Sequence, residues 1–134
     1  MSLLRLENIT KRFGGLVAVD DVSLEIQEGE LIAIVGPNGA GKTTLFNVIS
    51  GVFLPEEGRI FFEDQDITLF PAYKRAPLGL GRTFQIPRPF SSASVRENVA
   101  IGAMFVTLAG EVNEDKSLEI ADHYIYLVGL QDHR

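Results

Sequence analysis

The 134-residue chain carries a formal net charge of −6 and contains no cysteine, so it offers neither disulfides nor thiolate ligands for a metal. Hydrophobic residues make up 46% and charged residues 22%, which is ordinary for one globular domain with a core of its own. The acidic balance argues against a nucleic-acid-binding surface, which needs clustered Lys and Arg. The longest apolar stretch, residues 99–110, is shorter than the roughly 20 residues that a membrane-spanning helix needs.

Apolar residues near the N-terminus follow the period of β-strands. They predict antiparallel strands over 3–8 and 17–27, joined by a turn at Phe13-Gly14-Gly15. A Pro-Glu-Glu-Gly turn begins at Pro55, and a further strand follows it. Residues 1–30 and 58–70 are therefore expected to form one antiparallel β region.

Residues 36–43, GPNGAGKT, match every fixed position of the G-x-x-x-x-G-K-[ST] phosphate-binding loop. The apolar run 31–35 before the loop predicts a strand buried on both faces. The apolar positions after the loop predict a short helix that ends at Gly51. Residues 31–51 thus have the strand–loop–helix order in which this motif binds phosphate.

The residue types of the loop suit a nucleoside triphosphate with Mg²⁺. Gly36, Gly39 and Gly41 let backbone N–H groups converge on phosphate oxygens. Lys42 can reach the β- and γ-phosphates, and the Thr43 hydroxyl can ligate Mg²⁺. A glycine-rich turn capped by threonine is the alternative, and the complete match in this context disfavours it.

The second half of the chain predicts a brief strand at 82–84 that ends at Gln85, a stiff loop with two prolines, and two helices. Ser94 and Glu97 form a capping box for a helix over about 95–105. A polar linker is predicted over 111–116, followed by a last helix that ends at Gly129.

Four of these features resemble the nucleotide-binding subunit of ATP-binding cassette (ABC) transporters, in the N-terminal half of that family's domain. Phe13 stands where the family has an aromatic that stacks on adenine, and GPNGAGKTT at 36–44 is the family's form of the phosphate loop. GRTFQ at 81–85 is similar to its glutamine loop, and SVRENV at 94–99 to the start of its helical subdomain. Three segments look most like ATPase subunits of branched-chain amino-acid importers: residues 11–23, residues 43–51 and GRTFQ.

The resemblance implies an α/β fold, the P-loop NTPase (ABC ATPase) fold in truncated form. Residues 1–134 would be the N-terminal part of one ABC ATPase domain, and the family's signature motif, Walker B acidic residues and switch histidine are expected beyond Arg134. The implied parts are the β region 1–30 and 58–70, the phosphate-loop strand and helix 31–51, the glutamine-loop strand 82–85 and the start of the helical subdomain 86–134.

ATP and Mg²⁺ are the implied cofactors. The cofactor-binding residues carried over from the family are Phe13, Gly36, Pro37, Asn38, Gly39, Ala40, Gly41, Lys42, Thr43 and Thr44. The implied catalytic residues are Lys42 and Gln85, and the implied metal ligands are Thr43 and Gln85. Phe13 could instead cover a core edge, and Gln85 could simply bond a strand end. The pairs Asp20-Asp21 and Asp64/Asp66 are read as solvated turn charges.

The implied function is ATP hydrolysis in a head-to-tail dimer that energises amino-acid uptake. Expected partners are a second ATPase subunit and, through the region after Gln85, transmembrane permease subunits at the cytoplasmic face of the plasma membrane; nucleic acid is not expected. The 134 residues alone are expected to be inactive. An ATP-binding fragment or module without hydrolysis is the alternative. A P-loop kinase or GTPase is disfavoured, because GTPases recognise guanine with an N-K-x-D motif that the chain lacks and Phe13 suits adenine stacking. Asp64 stands where relatives often have glycine, so a small local destabilisation is expected there.

Overall fold

In the computed structural model, which describes residues 2–106 and 114–133, the N-terminal region forms a long β-hairpin. Its strands are β1 (Ser2–Phe13) and β2 (Leu16–Gln27). On its other side β1 pairs with β3 (Glu57–Phe62), and β3 pairs with the two-residue β4 (Gln65–Asp66). The sheet has the order β2-β1-β3-β4 with all neighbours antiparallel, as the sequence predicts.

Strand β1 continues past residue 8, where the sequence predicts its end. Asn8 has a positive φ of 49° and Asp21, on the paired strand, one of 47°. The Asn8 side-chain amide donates to Asp21 Oδ1 at 2.7 Å, and Thr10 Oγ1 accepts from the Asp21 N–H at 3.1 Å. This irregularity shifts the register, so the apolar period breaks although the pairing continues to Phe13.

The hairpin between β3 and β4 turns at Glu63 and Asp64. Both residues are left-handed, with φ of 47° and 63°. Asp64 therefore adopts a left-handed conformation at the position where the sequence predicts a small local destabilisation.

The segment 31–35 differs from the prediction, because the structure does not form a strand there. Leu31 is 100% exposed and Val35 is 91% exposed. No backbone–backbone hydrogen bond joins residues 31–36 to any other described residue. A strand exists only when a neighbour satisfies its N–H and C=O groups, and local sequence cannot supply that neighbour.

The chain divides after Arg75 into two units, residues 1–75 and 76–134. Besides the sheet, the first unit contains helix α1 (Lys42–Ile49) and the single helical turn α2 (Ala72–Arg75). Its core is formed by side chains from the sheet, from α1 and from the segment after β4: Leu6, Ile9, Val48, Ile60 and Ile67.

The second unit begins with a 3₁₀ turn at Ala76–Leu78 and contains α3 (Val95–Val106) and α4 (Glu114–Leu127). Arg96 of α3 makes two hydrogen bonds to the Asp122 carboxylate of α4, at 2.9 and 2.7 Å. Ala121 and Ile125 are buried on α4. Within the described ranges, no helix is long and apolar enough to cross a membrane.

Two predictions for the second unit need correction. The brief glutamine-loop strand at 82–85 is absent, since these residues are irregular and have no strand neighbour among the described residues. The polar linker predicted over 111–116 lies partly outside the described residues, and its last three residues instead open α4. Acidic residues in the first turn of a helix are favourable, which accounts for that start.

Candidate nucleotide-binding site

The phosphate loop joins α1 at a glycine that lies against β2. Gly41 is the N-cap of α1 and has a left-handed φ of 87°. A β-carbon at this position would lie 2.1 Å from the carbonyl oxygen of Ala18 on β2. The Gly41 carbonyl in turn accepts from the Leu45 N–H at 2.8 Å, which closes the first turn of the helix. Only glycine allows this combination of backbone conformation and close approach.

The N-terminus of α1 is suited to bind an anion. No side chain caps it, and its first turn contains no acidic residue. The N–H groups of Lys42, Thr43 and Thr44 fall in the turn where a helix leaves amides without intrahelical partners. The aligned peptide dipoles add partial positive charge at the same place. Thr43 is exposed there, so its hydroxyl is accessible.

The Lys42 side chain folds back into the phosphate loop. Its ammonium donates to the carbonyl oxygens of Gly36 and Pro37, each at 2.6 Å. These contacts hold a positive charge inside the curve of the loop, beside the free amides of α1. Among the predicted residues, the structure therefore brings together the loop residues 36–44.

A cavity of about 400 Å³ lies between β2 and the phosphate loop. Residues of β2, apolar except for Asp20, line it on one side, and Lys42 adds a positive charge from the end of the phosphate loop. An apolar cavity with a few polar groups is the usual form of a small-molecule site. Its lining includes Val17, Val19, Val35, Ala40, Gly41 and Lys42.

Phe13 lies at the end of β1 and does not line this cavity. Its ring packs edge-on against Phe53, with centroids 5.2 Å apart and planes at 75°. The Lys11 ammonium lies 5.2 Å from the Phe13 ring centroid. The residue is 42% exposed, so part of its ring remains available for stacking. Sequence reasoning missed Phe53, which supports the ring from a distant part of the chain.

Gln85 belongs to the second unit, where it lies in an exposed bend. The nearby Arg82 guanidinium stacks over Phe84 at 5.0 Å from the ring centroid. The metal-binding and catalytic role of Gln85 stays a prediction.

The part of the chain that the structure describes has no group of three or more His, Asp or Glu side chains placed to hold a metal. Asp66, one of the predicted turn charges, accepts from both the Thr68 hydroxyl and the Thr68 N–H, at 2.6 and 2.9 Å. These hydrogen bonds lower the pKa of Asp66. Asp66 thus lies in β4 and not in a turn, and its carboxylate is bonded to Thr68 of the turn that follows.

Arg75 is the residue that sequence reasoning missed. It is 0% exposed, and its guanidinium bonds four backbone carbonyls, two of which end α1. The sequence offered only an adjacent Lys-Arg pair, which is typical of a solvated surface. Gly51 was the one available signal, because it leaves the space into which Arg75 extends.

The loop, the helix and the cavity define a P-loop nucleotide-binding protein of the α/β class. The family model for "ABC transporter" matches residues 19–134. The chain therefore belongs to the ABC transporter family, whose ATPase domains share its fold and bind ATP.

Individual relatives agree with this assignment. The "Probable branched-chain amino acid transport ATP-binding protein LivG" of Archaeoglobus fulgidus is 43% identical over 101 residues, covering 75% of this chain and 39% of the relative. The "High-affinity branched-chain amino acid transport ATP-binding protein BraF" of Pseudomonas aeruginosa is 35% identical over 141 residues, covering 97% and 55%. The ADP conformation of MJ1267, an ATP-binding cassette of an ABC transporter, aligns with a TM-score of 0.80 at 35% identity, covering 99% and 56%. The chain thus spans about half the length of the relatives it matches.

Proposed function

We propose that this chain binds ATP·Mg²⁺ as part of the ATP-binding subunit of an ABC importer for branched-chain amino acids. The observation that carries the proposal is the uncapped N-terminus of α1, with Lys42 held inside the preceding loop. Free amides, helix dipole and ammonium converge there, and a polyphosphate is the ligand that uses all three.

In this proposal each residue of the site contacts a different part of the nucleotide. The loop amides hold the phosphates, and Lys42 exchanges its two carbonyl partners for β- and γ-phosphate oxygens. The exposed face of Phe13 stacks on adenine, while its edge contact with Phe53 fixes the ring.

Mg²⁺ would be held by the Thr43 hydroxyl together with phosphate oxygens, because this ion keeps several waters and needs few protein ligands. When bound, it neutralises charge that develops on the phosphates. Gln85 is proposed as a second metal contact that also orients the attacking water, as the resemblance implies.

Hydrolysis and transport are proposed for the whole subunit. Two subunits would pair head to tail, and the region after Gln85 would contact the permease at the cytoplasmic face of the membrane. Relatives named as branched-chain amino acid transport ATP-binding proteins support the solute class. An ATP-binding role without hydrolysis is the second candidate, and phosphate release from the assembled dimer separates the two.

Calorimetric titration of ATP·Mg²⁺ into the wild-type chain and Lys42→Ala tests the binding step. A charge-assisted hydrogen bond contributes about 1.5–3 kcal/mol, so the substitution should weaken binding roughly 10- to 100-fold. Lys74→Ala is the matched control, because Lys74 is exposed and lies over Phe70, 5.8 Å from the ring centroid. Equal affinities for wild type and Lys42→Ala would overturn the proposal.

A further inference from the structure

Arg75 connects α1 to the segment between β4 and α2 through backbone carbonyls alone. Its Nη1 donates to the carbonyls of Val48 and Ile49, at 2.9 and 2.7 Å. Its Nε donates to Phe70 O at 2.7 Å, and its Nη2 donates to Thr68 O at 3.0 Å. No carboxylate among the described residues forms an ion pair with it.

Through these partners, the buried Arg75 guanidinium acts on the C-terminal end of α1. The carbonyls of Val48 and Ile49 belong to the last turn, where a helix carries partial negative charge, and the Val48 carbonyl also accepts from the Gly51 N–H at 3.1 Å. Burial lowers the pKa of Arg75 to about 10, so the guanidinium stays charged at neutral pH. A fixed positive charge therefore lies at the C-terminal end of α1, the helix that begins at the phosphate loop.

Gly51 provides the space for this contact. A β-carbon on Gly51 would lie 2.8 Å from Arg75 Nε, from Phe70 O and from Ala72 N. The Gly51 carbonyl also accepts from the Ala72 N–H at 3.1 Å, which fixes the backbone on both sides of the guanidinium. The C-terminal end of α1 is thus held by two independent sets of hydrogen bonds.

We infer that Arg75 is a positioning residue for the nucleotide site. Helix α1 has only eight residues, with Lys42 and Thr43 in its first turn and the Arg75 contacts in its last. A rotation at one end of so short a rod moves the other end. By fixing the last turn, Arg75 sets where the free amides, the ammonium and the Thr43 hydroxyl point. The inference rests on the proposed function for its ligand, and on the geometry alone for its effect on α1.

The test uses the chain with Arg75→Met, which keeps much of the volume and removes the cation, and Arg75→Lys, which keeps the cation. Leu4→Ala is the matched control, because Leu4 is buried in β1 between Ile26 and Phe62 and removing its side chain lowers stability by another route. Backbone amide ¹H–¹⁵N shifts of residues 42–44 are recorded without nucleotide. The dissociation constant for ATP·Mg²⁺ is then measured at a temperature where each variant is folded.

Arg75→Met is expected to move the amide shifts of residues 42–44 and to weaken ATP·Mg²⁺ at least fivefold. Arg75→Lys should restore part of the wild-type amide shifts and part of the ATP·Mg²⁺ affinity, because an ammonium can reach the end of α1 but cannot bond all four carbonyls. Leu4→Ala should leave both unchanged. Shifts that stay constant in Arg75→Met, or that move equally in Leu4→Ala, would overturn the inference.

Two further arms keep the outcome decisive. If Arg75→Met does not fold, Arg75→Gln, which removes the charge but keeps a donor for a carbonyl, takes its place, and the same shifts decide. If the wild-type chain does not bind ATP·Mg²⁺, the proposed function fails. The amide shifts of residues 42–44 then still report whether Arg75 positions the first turn.

Discussion

Gly41 faces the carbonyl oxygen of Ala18 so closely that a β-carbon on residue 41 would lie 2.1 Å from that oxygen. This contact fixes the junction of loop and helix against the hairpin. The nucleotide site therefore depends on the sheet as well as on the loop motif.

Gly41→Ala should destabilise the first unit and weaken nucleotide binding. The left-handed conformation alone disfavours an L-residue by about 1–2 kcal/mol, and displacement of β2 adds to that. Urea unfolding measures the effect. Gly102→Ala is the control of opposite sign: a β-carbon there meets nothing within 4 Å, and alanine inside α3 should stabilise by about 0.5–1 kcal/mol. Equal changes in the free energy of unfolding for the two substitutions would contradict this prediction.

Phe13 should bind the base without distinguishing adenine from guanine. Stacking contributes about 1–3 kcal/mol for any base, so ATP and GTP should bind within about tenfold of each other. Phe13→Ala should weaken both equally, as measured by calorimetry. Phe61→Ala is the control, since that ring lies on β3 beneath Arg5. A loss confined to one nucleotide would assign Phe13 a different role.

Glu97 should contribute acid-sensitive stability to α3. Its carboxylate accepts from the Ser94 N–H at 2.7 Å, and this bond lowers its pKa below the ordinary 4.5. The folded state thus binds the proton less readily than the unfolded state, so the contribution is complete above pH 4.5 and lost as the pH falls through the lower folded-state pKa. Urea midpoints of wild type and Glu97→Gln should differ at pH 7, and the difference should disappear as the pH falls below the folded-state pKa. Glu119→Gln, at an exposed position of α4, should show no such convergence.

The 134-residue chain should self-associate. Residues 31–35 expose apolar side chains and a backbone without strand partners among the described residues, which makes the segment a template for pairing with another chain. Light scattering should detect oligomers, and Val35→Lys should reduce them. Leu69→Lys, at a 73% exposed turn position, serves as the control. A wild-type chain that stays monomeric at high concentration contradicts this prediction.

The same chain, assayed alone, should release no phosphate from ATP. In the proposed mechanism, water activation needs further acidic residues and a signature motif from a second subunit, and the 134 residues span about half the length of the relatives they match. A colorimetric phosphate assay, with a full-length relative as the positive control, measures this. Steady turnover by the 134 residues would show that these groups are not required.

Local chemistry explains which features the sequence could predict. The capping box is an example: Ser94 Oγ accepts from the Glu97 N–H at 3.2 Å while Glu97 accepts from the Ser94 N–H. Both partners lie within one helical turn, so the motif specifies its own geometry. The phosphate loop is similar, since its glycines permit the turn into α1 although the segment before it forms no strand.

The features that sequence reasoning missed depend on distant partners. Arg75 is buried because Val48 and Ile49, some 26 residues earlier, present carbonyls to it. Phe13 packs against Phe53, which lies 40 residues later in the chain. Residues 31–35 have no strand neighbour in the described structure. Neither residue propensity nor hydrophobic periodicity predicts such long-range contacts. The phosphate loop could therefore be located from the sequence, but the contacts that hold the end of α1 could not be predicted.

The turn between β3 and β4 has a consequence for how this fold tolerates change. Glu63 and Asp64 occupy left-handed conformations, which suit Asn-Gly far better than two acidic residues. The conformational preference of these two residues conflicts with the turn that the fold requires, so the hairpin is locally frustrated at this point. Replacing Glu63-Asp64 with Asn-Gly should therefore stabilise the fold, because it removes this conflict and leaves the core unchanged. That gain could offset a destabilising substitution elsewhere in the sheet.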